Sequence, residues 1–68
     1  MDITREVPVS VRVLDAAHLD AAADALADRG MRVFFRKRAA TEGLVVGTIR
    51  RALLPQLELV GGCLVREG

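Results

Sequence analysis

Arg32, Arg36, Lys37, Arg38, Arg50 and Arg51 place six of the chain's ten cationic side chains between positions 32 and 51. Guanidinium groups offer paired N–H donors to carboxylates and phosphates alike. Such a cluster can therefore meet an acidic protein or a nucleic-acid backbone. Phe34 shares the odd-even phase of Arg32, Arg36 and Arg38. On a strand, that phase sets one aromatic ring among three arginines, the composition of an interface core. Charge is divided along the chain. Up to Gly30 there are three basic and six acidic residues, a net of −3, and from Met31 seven basic and three acidic, a net of +4. The whole carries only +1, with a pI of 8.0, short of the value above about 9 that marks a dedicated nucleic-acid domain. Phe34 and Phe35 are the only aromatics, too few for a base-stacking platform. The expected partner-binding set is thus Arg32, Phe34, Arg36, Lys37, Arg38, Arg50 and Arg51, facing a protein partner or a second copy. Nucleic-acid binding through the basic hairpin Arg32–Arg38 with Arg50 and Arg51 is the alternative.

A second charged feature has the opposite sign. Asp20, Asp24 and Asp28 recur at i, i+4 and i+8, an acidic stripe along one side of a helix. Hard cations want oxygens converging from a loop, and a straight helix presents them in a row, so no metal is expected. The stripe reads as a solvated face or a secondary surface for a basic partner. Catalytic constellations are missing. Ser10 lies within a strand pattern, and Cys63 with His18 is the only nucleophile-base pair available, far apart and without an orienting third group. The Gly43–Thr48 segment has no lysine after its second glycine, and no G-x-G-x-x-G run occurs. No catalytic residue and no cofactor are expected, and the chain reads as a non-enzyme.

These side chains need elements to hold them. Val7, Val9, Val11 and Val13 alternate with Ser10 and Arg12, the period of a half-buried strand, with Pro8 near its start on an edge or among its first residues. Asp15 is an N-cap for a helix over 16–29 whose apolar face is Ala16, Leu19, Ala22, Ala23, Leu26 and Ala27, closed by Gly30. A second strand over 31–38 turns Met31, Val33 and Phe35 inward and leaves Arg32, Phe34, Arg36 and Arg38 outward. After a loop, 44–49 form a third strand in which Gly47 suggests a bulge. Residues 50–54 make at most a short helix, because Pro55 disfavours helical geometry at Leu54. A last strand runs over 57–65, either kinked at Gly61-Gly62 or split there into a hairpin.

The order β-α-β-β-(short α)-β describes a two-layer α+β domain, an antiparallel sheet with one main helix on one face. The layout resembles the ferredoxin-like one with a reduced second helix. The strand, helix and "DRGMRV" run also resembles small regulatory ligand-binding domains of the ACT type, with Ala16-Ala17 where those usually carry Pro-Gly. Sixty-eight residues suit a single domain over 1–68 that buries only about 60% of its chain surface. No apolar run is long enough to span a bilayer, and a cytoplasmic setting is expected. Nine arginines to one lysine fit a GC-rich bacterial or phage genome. The expectation is a non-catalytic protein-interaction or regulatory module, a homodimer or small subunit, working through an Arg-bearing sheet face.

Overall fold

In the computed structural model, which describes residues 5–68, four strands pair antiparallel into one sheet: β1 (Glu6–Val13), β2 (Arg32–Arg38), β3 (Gly43–Arg50) and β4 (Cys63–Glu67). Their order across the sheet is β2-β3-β1-β4. Helix α1 (Leu19–Asp28) and the short α2 (Leu54–Leu57) complete a two-layer α+β arrangement. The single-domain expectation includes residues 1–4, which lie outside the described range. Among the described residues, no helix is long and apolar enough to cross a membrane.

β1 follows its alternation: Val7, Val9, Val11 and Val13 are buried while Glu6, Pro8 and Arg12 are exposed. The valines meet Leu19, Ala22, Ala23 and Leu26 of α1, with Val45, Ile49, Met31 and Leu57, in one core. β1 is a central strand, so Pro8 is not on an edge. Its carbonyl accepts from Gly68 N–H at 2.9 Å, so its missing N–H faces past the end of β4.

The caps of α1 carry their expected chemistry. Asp15 Oδ1 accepts from Ala17 N–H at 2.9 Å, and the chain enters through a 3₁₀ turn over Ala16–His18 before α1 begins. Gly30 takes φ 104°. Its N–H donates to Ala27 O at 3.0 Å and Met31 N–H to Leu26 O at 3.1 Å, the pair of bonds that closes a helix on a left-handed glycine.

Four expectations fail, each for a physical reason. Pro55 does not stop a helix; it stands in the first turn of α2, where its absent N–H has no intrahelical partner to lose. Leu57 to Val60 are not strand. Leu57 ends α2 fully buried in the core, and a run of turns leads to β4. Gly61-Gly62 is neither kink nor hairpin but the last turn before β4, with Gly62 at φ 75°.

The fourth failure concerns the strand that carries the basic cluster. Val33 pairs with Gly47 and Phe35 with Val46, two steps on β2 against one on β3. Phe34 is therefore an inserted residue, a β-bulge, and side-chain alternation reverses beyond it. Gly47 marks the bulge, but the extra residue is on the facing strand. The reason is close backbone approach: a Cβ on Gly47 would lie 1.9 Å from the Arg32 carbonyl oxygen.

Candidate functional site

Residues opposite one another in a sheet share a face, so the pairings fix where each cation points. Val45, Gly47 and Ile49 are buried beneath α1, and Leu44, Val46, Thr48 and Arg50 line the uncovered face. Arg32 opposes Thr48, Phe35 opposes Val46 and Lys37 opposes Leu44, which puts Arg32, Phe35 and Lys37 on that open face. Arg36 opposes Val45 and Arg38 opposes Gly43, so both turn to the helix side. The expected alignment of Phe34 with Arg32, Arg36 and Arg38 on one face is corrected by the bulge, as is the inward position of Phe35.

The helix side gives these two arginines a partner. Arg36 Nη1 donates to Asp20 Oδ1 at 2.9 Å, and Arg38 Nη2 lies 3.7 Å from Asp20 Oδ2. One end of the acidic stripe thus pins the β2 strand to α1. Asp24 and Asp28 are exposed on α1 and make no ion pair among the described residues. No three His, Cys, Asp or Glu side chains among those residues converge to hold a metal ion.

The remaining members of the basic set separate. Arg50 opposes Glu6 at one end of the open face, where it shares a hollow of about 320 Å³ with Glu6, Gly30, Arg32 and Leu53. Glu6 Oε1 accepts from the Thr48 hydroxyl at 3.0 Å. Arg51 opens a 3₁₀ turn, exposed, with its N–H donating to Arg5 O at 2.9 Å. Phe34, exposed to 62%, has no cross-strand partner.

The open face also holds residues that the cluster at 32–51 does not include. Across its middle run Phe35, Val46, Ser10 and Arg66, and beside them Lys37, Leu44, Arg12 and Leu64. Phe35 and Leu64, near the two edges, are 51% and 52% exposed, and Val46 and Leu44 are half-buried between them. The result is an apolar patch of Phe35, Val46 and Leu44 beside Arg32, Lys37 and Arg50, with Arg12 on β1 between it and Leu64, and Arg66 next to Leu64 on β4. Arg12 is held by Glu42 at 2.8 Å. A shallow groove of about 470 Å³ crosses this face between Ser10, Arg12, Leu44, Leu64 and Arg66. Five cations against Glu6, Glu42 and Glu67 at the end of the groove leave the face basic. The signal for Arg12 and Arg66 was their phase: each alternates with inward valines, Val11 and Val13 or Val65.

Cys63 and His18 are each engaged elsewhere. His18 Nδ1 lies 3.5 Å from Asp15 Oδ2, both exposed. Cys63 is half-buried opposite Val13 on the helix side, and desolvation by burial pushes its thiol pKa up, away from thiolate character. No family model, curated protein or solved structure matches this chain.

Proposed function

We propose that the chain is a non-catalytic interaction or regulatory module whose open sheet face docks an acidic, partly apolar protein surface. One observation carries this: Phe35, Val46 and Leu44 form an apolar patch across β2 and β3 that no second layer covers among the described residues, with Leu64 beyond Arg12 on β4 and arginines and a lysine beside it. Aromatic and Arg side chains are what protein interfaces enrich, while a basic rim steers an acidic partner to the patch. The sheet follows a ferredoxin-like layout with a reduced second helix. Its support is the interleaving of two β-α-β halves, β1-α1-β2 and β3-α2-β4, in the order β2-β3-β1-β4, with α2 only 4 residues long. Both helices belong to one layer, and the opposite sheet face is left for a partner.

Binding of nucleic acid is the second reading, favoured by an exposed aromatic, Phe35, standing among cations where a base could stack. Against it, Arg36 and Arg38 spend their charge on Asp20, and no aromatic lies on the central strands β1 and β3.

A photo-crosslinking side chain at position 46, in tagged full-length chain expressed in its own cells, separates the two. The expected adduct is one protein, insensitive to nuclease and lost when Phe35→Ser is added. An adduct that nuclease removes, or one that Phe35→Ser leaves intact, overturns the reading.

A further inference from the structure

We infer that two copies of the chain join edge to edge through β4, extending the sheet across a two-fold axis. This goes beyond the open-face reading and leaves Phe35, Val46 and Leu44 of that face free. Two basic faces repel when stacked, so the open face is poorly complementary to itself.

An open sheet has two edges, and here they differ. The β2 edge is broken by the Phe34 bulge and bears Arg32, Arg36, Lys37 and Arg38, the devices that prevent edge-to-edge pairing. The β4 edge has neither bulge nor cation cluster. Leu14 N–H donates to Gly62 O at 2.9 Å, and Gly68 N–H donates to Pro8 O at the same distance. Even-numbered residues of this stretch therefore turn their backbone groups to β1. By the period of the strand, the N–H and C=O groups of Cys63, Val65 and Glu67 point outward along the edge. No strand among the described residues pairs with them.

Side chains choose both partner and register. An antiparallel two-fold pairing keeps both helix layers on one side only if like faces meet. Centred on Arg66, it sets that cation against its own copy. Centred on Val65, it sets Leu64 against Arg66 and Glu67 against Cys63. Centred on Leu64, it brings the two Leu64 side chains together on the open face and Cys63 against Val65 on the other, apolar with apolar at the centre, while Arg66 and Glu67 meet only Gly62 and Gly61. Leu64 is 52% exposed and Leu14, also exposed, is bonded to Gly62 beside it. The second copy supplies partners for the outward backbone groups of Cys63 and Val65 and for these side chains, and the open faces of the two copies become continuous.

The test uses the full chain with Cys63→Ala. Leu64→Cys in that background should form a disulfide-linked dimer rapidly under mild oxidation, because facing residues of a non-hydrogen-bonded antiparallel pair lie close. Leu59→Cys, at a still more exposed leucine in the turn before β4, serves as the control. Leu64→Lys should raise the dimer dissociation constant by about tenfold or more, read by light scattering from micromolar to millimolar protein, with an unchanged melting curve at a dilution where both chains are monomeric. Phe35→Ser should leave the dimer intact. A monomer at millimolar concentration, cross-linking at 64 no faster than at 59, or a dimer dissolved by Phe35→Ser but not by Leu64→Lys would overturn the inference. The last outcome would move self-association to the open face, and the adduct at position 46 would then be a second copy of the chain.

Discussion

Arg36 reaches across from β2 to α1 and donates to Asp20 at 2.9 Å, so a residue that strand alternation assigns to the open face is an intramolecular clasp. Asp20 also sits in the first turn of α1, where a negative charge suits the helix dipole. The carboxylate is 72% exposed, which limits the pair to about 0.2–1 kcal/mol in water. Asp20→Ala should lower the melting temperature by a few degrees at low salt, and the deficit should shrink as salt rises. Asp24→Ala, which removes no ion pair and improves helix propensity, should be neutral or mildly stabilising. Thermal melts of both variants at two ionic strengths check this, and equal losses would mean that the clasp contributes nothing specific.

The bulge gives a sharper expectation. A methyl group on Gly47 would meet the Arg32 carbonyl oxygen at 1.9 Å, a backbone atom that cannot swing away. Gly47→Ala should therefore cost about 2–4 kcal/mol, a large share of a small domain's stability. Deleting Phe34 removes the inserted residue and leaves every other β2 residue on its present face. In that background Gly47→Ala should lose most of its penalty. Urea titrations of the two singles and the double variant measure the coupling; strict additivity would show that the close approach is independent of the bulge.

This pair of residues also shows what the sequence could and could not reveal. Asp15, Gly30 and the β1 valines act through neighbours a few positions away, and their chemistry reads directly: a cap, a left-handed closure, an alternation. An inserted residue shifts the phase of everything after it, yet Phe34 looks like any other member of the strand. Counting by two past it sends Arg36 and Arg38 to the wrong face and Phe35 to the core. Gly47 was the visible trace, readable as a bulge but silent about which strand holds the extra residue. Leu57 was misread because burial in a short helix and burial in a strand look alike over four residues. The open face could not be assembled at all from the run 32–51, since Arg12, Leu64 and Arg66 join it only through the pairing of β1 with β3 and β4.

Cys63 supplies a pH dependence with a definite sign. Burial raises its thiol pKa in the folded chain, so above about pH 8.5 the unfolded chain loses the proton first. The unfolded state then binds fewer protons than the native state, and stability falls as pH rises through that range. Cys63→Ala should flatten this alkaline decline. At neutral pH the thiol of the folded chain should alkylate more slowly than free cysteine. Faster alkylation would mean an activated thiolate and would contradict the burial argument.

Charge reversal at single positions divides the basic residues by face. Arg36→Glu places a second carboxylate beside Asp20, so it should cost stability while leaving capture by the open face intact in whatever fraction remains folded. Arg32→Glu and Lys37→Glu lie opposite Thr48 and Leu44 with no acidic partner among the described residues. They should leave the melting curve within about 0.5 kcal/mol of wild type and slow partner association, with a weaker dependence on salt. If the ligand were a nucleic acid, the open-face reversals would also remove one phosphate contact each, and the slope of affinity against salt would fall by about one for each. Association rates with the captured partner, and oligonucleotide affinities over a salt series for the same three variants, make the comparison. Binding lost equally in Arg36→Glu and Arg32→Glu, with all variants folded, would show that the contact spans both sides of β2, and the division of faces would not describe the working surface.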